Sequence, residues 1–169
     1  MNIKIFLVLI VSLVPNLTKA ESEIVKVNSN WLVLVKVDDF TDEKVCTVLP
    51  NNRNYSSIER IYIRANSSNP DDNAVAIIGS GEHINDIGLK YRVDKNPPVQ
   101  LGYRFKSSVY SDMYMVEGDD YEEMISAFKS GNEVIYQFTS KKRPANNKKY
   151  EFNLLGFTEA YNFARKCDH

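Results

Sequence analysis

Histidine and cysteine are each present only twice in this 169-residue chain, and what they leave out narrows the chemistry. With His83 and His169 as the histidines, and Cys46 and Cys167 too far apart to form a CxxC pair, no zinc site has ligands at workable spacing. No GxSxG, HExxH or phosphate-binding glycine loop occurs. The carboxylate pairs Asp38-Asp39, Asp71-Asp72 and Asp119-Asp120 are adjacent in sequence rather than spaced as in a calcium loop or a glycosidase acid pair, so turn and cap roles account for them. A hydrolytic or metal site around His83, near Glu82 and Asp86, can be drawn. A lone histidine in a Gly-Ser-Gly loop is ordinarily just solvated. Charge of one sign is also missing: 21 basic residues stand against 22 acidic ones, which gives no global pull toward nucleic acid. These absences lead to an expectation of no enzyme, no catalytic residue, no metal and no cofactor.

What is present begins at the N-terminus. Lys4 precedes the apolar run IFLVLIVSLV, which is followed by Pro15 and a Thr-Lys-Ala ending. That is the pattern of a secretory signal peptide cleaved after Ala20, and the run is short for a bilayer span. Residues 21–169 then form one secreted domain with no transmembrane segment. Removing Lys4 and Lys19 makes its balance 19 minus 22, or −3. In an oxidising compartment two cysteines predict one disulfide, Cys46 to Cys167, and a periplasmic or secreted location.

The rest of the chain reads as strands. WLVLVKV from Trp31 and KVCTVL around Cys46 suit an antiparallel pair, and further strands are expected at IERIYIRA, AVAII, Ile87 to Val93, Val99 to Phe105, Met113 to Val116, EVIYQFTS and YEFNLL. The last two are expected to form a hairpin. YEEMISAFKSG places Tyr121, Met124, Ile125 and Phe128 on one helical stripe, with Asp119 or Asp120 as cap and Gly131 as terminator. The closing segment places Phe157, Ala160, Tyr161, Ala164 and Cys167 on another, capped by Thr158, with Cys167 in its last turn. The expected fold is mainly β: an antiparallel sandwich or partly open barrel of about eight strands with two short helices, the C-terminal one stapled by the disulfide.

One charged cluster stands out. Lys141, Lys142, Arg143, Lys148 and Lys149 crowd the loop between the last two strands of a chain that is otherwise acidic. They are candidates for contact with an anionic surface, such as lipid head groups, an acidic polysaccharide or an acidic protein; solvated charges that discourage edge pairing explain them as well. Ten tyrosines against one tryptophan could line a ligand face, although half-buried strands use tyrosine without one.

Trp31, the helix-Lys-Ser-Gly segment followed by EVIYQF, and the ending FNLLGFTEA together resemble the invasion-associated locus B family of bacterial envelope proteins. The ending and YRVD are also similar to the VasI-type periplasmic accessory proteins of type VI secretion. The resemblance is strongest from Met124 to Ala164 and weaker from Trp31 to Asp94. It implies a non-enzymatic secreted β-sandwich of a Gram-negative envelope and transfers no catalytic residue. The functional expectation is a binding protein whose partner is another envelope or secreted protein, or alternatively an inhibitor or immunity protein against a wall-degrading enzyme or toxin.

Overall fold

The apolar run at Trp31 pairs on both sides, and that pairing sets the larger of two sheets. In this computed structural model the described residues are 22–51, 60–67, 69–78, 86–105, 113–140 and 149–167. Strand β2 (Trp31–Val37) lies between β1 (Ser22–Lys26) and β3 (Lys44–Pro50), antiparallel to each, with Val33 opposite both Val25 and Val48. Alternation turns Trp31, Val33 and Val35 to the same side as Cys46 and Val48. The sheet continues through β4 (Arg60–Arg64), β5 (Ala74–Ile78) and β8 (Met113–Val116), in the order β1-β2-β3-β4-β5-β8. In β4 the inward face, undecided from the alternation, is that of Ile61 and Ile63.

The second sheet has the order β10-β9-β6-β7, built from β6 (Asp86–Val93), β7 (Val99–Phe105), β9 (Glu133–Ser140) and β10 (Tyr150–Asn153). All neighbours are antiparallel, and β9 and β10 pair as the expected hairpin. The described residues therefore hold ten strands in two open sheets, where about eight strands were expected. The strand not foreseen is β1, whose sequence SEIVK is mostly polar and whose Ile24 is 58% exposed. It is a strand because β2 offers it a partner, which no local pattern reveals.

One buried cluster draws on both sheets and both helices. From the smaller sheet come Leu89, Tyr91, Val93, Val134, Tyr136, Tyr150 and Phe152; α1 (Gly118–Ser130) adds Tyr121, Met124, Ile125 and Phe128, and α2 (Phe157–Ala164) adds Phe157, Ala160, Tyr161 and Ala164. Both helical stripes are those expected from the sequence. Phe157 joins three elements, its ring meeting Trp31 edge-on at 5.1 Å and Phe128 at 5.6 Å.

Both helix starts differ from expectation. Glu117 and Gly156 occupy the cap positions in place of Asp119 or Asp120 and of Thr158, and neither makes a side-chain cap bond. Asp119 and Asp120 lie inside the first turn, while the Thr158 hydroxyl donates to the Lys129 carbonyl. Asn28 ties the start of α2 to the turn before β2: its Nδ2 donates to the Gly156 carbonyl at 3.0 Å and to Glu159 Oε2 at 3.1 Å, and its Oδ1 accepts from the backbone of Asn30 and Trp31. Gly131 ends α1 as expected but for a different reason. Its φ is −99°, and a Cβ there would lie 2.1 Å from Val93 Cγ1, so closeness of packing requires glycine.

Cys46 and Cys167 form the disulfide, with Cα atoms 6.5 Å apart across 121 residues of chain. Cys167 lies beyond Ala164, in the turn that follows α2 rather than in its last turn, and its N–H donates to the Ala164 carbonyl. The staple joins that turn to β3, against which α2 packs. The segment read as a signal peptide lies outside the described residues, and no helix among those described is long and apolar enough to cross a membrane.

Candidate anion-binding face

Alternation along β6 sorts its side chains into two chemistries. Leu89, Tyr91 and Val93 go into the core, which turns Lys90 and Arg92 to the opposite, open face. Across the sheet Lys90 stands beside Gln100 of β7 and Gln137 of β9, and Arg92 beside Ile135. β10 pairs Tyr150 with Tyr136, so Lys149, one residue earlier, continues the row that contains Lys90 and Gln137. Lys90, Arg92, Ile135, Gln137, Lys149 and Pro98 line a shallow groove of about 250 Å³ on this face, its floor completed by the backbone side of Tyr91 and Tyr136.

Strands about 4.8 Å apart place Lys90 and Lys149 about 10 Å from each other along that row. This is about one Debye length at 0.1 M salt, so the potentials of the three cations overlap over the groove at that ionic strength and below. Gln100 is fixed beside them, its Nε2 donating to the Leu89 carbonyl at 3.1 Å and to the Leu101 carbonyl at 2.9 Å. The far end of the face is acidic. Glu133 lies there, one diagonal step from Glu151, which stands opposite Ile135 in the row of Arg92 and so borders the groove, and Asp94 accepts the backbone N–H groups of Asn132 and Glu133. A hydrogen bond with Glu151 foremost, then desolvation and the charges of Glu151 and Asp94, hold the Glu133 carboxyl above its ordinary pKa, while Arg92 acts in the other direction. The face is thus positive at the Lys90 and Lys149 end and negative at the Glu133 end.

Of the five basic residues expected to contact an anionic surface, Lys149 is described and exposed at the groove. Lys141, Lys142, Arg143 and Lys148 lie outside the described residues. Lys90 and Arg92 were missed, although their signal is in the sequence: basic residues at i and i+2 in a strand share one face. His83 and His169 also lie outside the described residues.

The acid pairs fall where turns need them. Asp38 accepts from the N–H groups of Phe40 and Thr41, which together hold its carboxyl below the ordinary range, and Asp72 pairs with Arg64 at 3.7 Å. Among the described residues no group of three His, Cys, Asp or Glu side chains is placed to hold a metal ion. Tyr121 and Tyr161 bring their hydroxyls to 3.2 Å inside the core, where burial raises the Tyr121 pKa; with Tyr121 also donating to the Arg64 carbonyl, this is a structural link between the helices and β4. No protein-family model matches the chain, and no curated protein matches it.

Proposed function

We propose that this protein is a secreted, non-enzymatic binding domain of the bacterial envelope that docks to an anionic surface through the outer face of its four-stranded sheet. The observation that carries this reading is the convergence of Lys90, Arg92 and Lys149 on one open groove. Three further features support it. They are the N-terminal pattern of a signal peptide, the disulfide, which suits an oxidising compartment, and the resemblance of the closing segment to envelope proteins. Lys141, Lys142, Arg143 and Lys148 lie in sequence between β9 and β10 and add charge of the same sign beside Lys149.

The test is co-sedimentation with phosphatidylglycerol vesicles, with phosphatidylcholine vesicles as control and an immobilised acidic polysaccharide as a second probe. Each basic side chain near an anionic surface contributes about 1 kcal/mol, so replacing Lys90, Arg92 and Lys149 with Ser should weaken association about 100-fold. Replacing Lys141, Lys142, Arg143, Lys148 and Lys149 with Ser should leave the fold intact and reduce the salt-sensitive part of binding to what Lys90 and Arg92 supply. Binding by neither probe, or binding indifferent to all these changes and to salt, would refute the reading.

A further inference from the structure

At the tip of the β2–β3 hairpin, Phe40 is 97% exposed, the highest value for any large apolar side chain among the described residues. The turn that carries it is held from several sides. Asp38 Oδ1 accepts the Phe40 N–H at 2.9 Å and the Thr41 N–H at 3.1 Å. The Asp42 N–H donates to the Asp38 carbonyl and the Asp38 N–H to that of Glu43, both at 2.9 Å, while Thr41 Oγ1 accepts from Glu43. Asp42 takes a left-handed φ of 58° to close it. A phenyl ring presented on a turn already ordered loses little further freedom on docking, which is the condition under which an aromatic anchor is most effective. The ring supplies the anchor, and its neighbours select the receptor. Asp38, Asp39, Asp42 and Glu43 flank it in sequence, against Lys36 and Lys44 at the base of the hairpin, so the tip carries net negative charge: an anionic lipid surface repels it and an apolar pocket with a cationic rim attracts it.

The chain has such a receptor on its other sheet. The groove described above has Ile135 and Pro98 as its apolar part and Lys90, Arg92 and Lys149 around them. We propose that the Phe40 hairpin of one copy seats in this groove of a second copy, forming a head-to-tail contact. Tip and groove are different surfaces, so the contact is heterologous: each bound pair leaves one tip and one groove free, and the assembly grows into rings or short chains. The inference shares the groove with the proposed function but does not rest on what the groove meets in the cell, and an anionic surface and the hairpin compete for it.

Sedimentation velocity of the purified secreted chain over a range of concentrations tests this. We expect reversible association that weakens about tenfold or more between 0.1 M and 1 M salt, since four carboxylates face three cations. Phe40→Ser and the double change Lys90→Ser with Arg92→Ser should each give monomers with unaltered circular dichroism and melting temperature. Mixed in equal amounts, the two variants should form a dimer and stop there. The first keeps its groove and the second its tip, so only one contact can form. A protein that stays monomeric in low salt, self-association unaffected by either variant, or variants that fail to complement each other would overturn the proposal. Vesicle binding without self-association would leave the proposed function standing and this inference refuted; self-association without vesicle binding would do the reverse.

Discussion

Asn28→Ala removes one side chain and four hydrogen bonds, and it separates the start of α2 from the turn before β2. In the folded protein Asn28 Oδ1 holds the N–H groups of Asn30 and Trp31, both at 3.0 Å, while Nδ2 holds the Gly156 carbonyl and Glu159. A net hydrogen bond contributes about 1 kcal/mol; the three to backbone groups are part-buried, and the exposed one to Glu159 adds little. The expected loss is about 2 to 3 kcal/mol, or a urea midpoint lowered by about 1 M at an m-value typical of this size. Equilibrium urea unfolding read by circular dichroism measures it, with the disulfide intact in both proteins. Two companions locate the effect. Glu159→Gln should change stability by less than about 0.5 kcal/mol, while Asn28→Asp keeps the acceptor for Trp31, loses the donor toward Gly156, and should fall between parent and alanine. A midpoint for Asn28→Ala within error of the parent would refute the assignment of this side chain as the tie between α2 and the turn before β2.

Other expectations follow from the same packing. The disulfide encloses 121 residues, so replacing Cys46 and Cys167 with Ser should cost about 2 to 5 kcal/mol, and intact mass after alkylation without reductant should show no free thiol in the parent. Gly131→Ala drives a methyl group toward Val93 Cγ1 and should cost about 1 to 3 kcal/mol in urea unfolding; full stability would mean that the β6 end yields easily. The raised Glu133 pKa means that this carboxyl favours folding while protonated and that the benefit disappears as pH rises through and above the ordinary carboxylate range. Glu151→Gln should therefore raise the melting temperature at pH 7 and leave it nearly unchanged at pH 4, and an equal effect at both would exclude carboxylate repulsion as its cause.

Much of this was legible from residue order because it depends on neighbours in the chain. Period-two runs such as WLVLVKV mark strands, and the stripes at Tyr121, Met124, Ile125 and Phe128 and at Phe157, Ala160, Tyr161 and Ala164 mark which side of each helix is buried. Two cysteines with a secretory pattern before them leave one intrachain pairing, and that pairing is the one formed. The basic cluster is visible in residue order because it is contiguous, whereas two of the groove's cations, Lys90 and Arg92, are single charges in β6 that look like ordinary solvent-facing positions.

Tertiary structure decided whatever depends on residues distant in the chain. Ser22–Lys26 is a strand because β2 accepts it, and the start of α2 is held by Asn28, 128 residues from Gly156, rather than by a side chain of its own first turn. Gly131 is required by Val93, 38 residues earlier, and not by its own backbone angles. The order β10-β9-β6-β7 puts Lys149 in the same row as Lys90, 59 residues away in sequence, and so turns scattered charges into one groove. Alternation and helical spacing determine which face of an element is apolar, because they follow from backbone geometry alone. Which element covers that face is determined by packing energies summed over the whole chain, and it is there that the site is assembled.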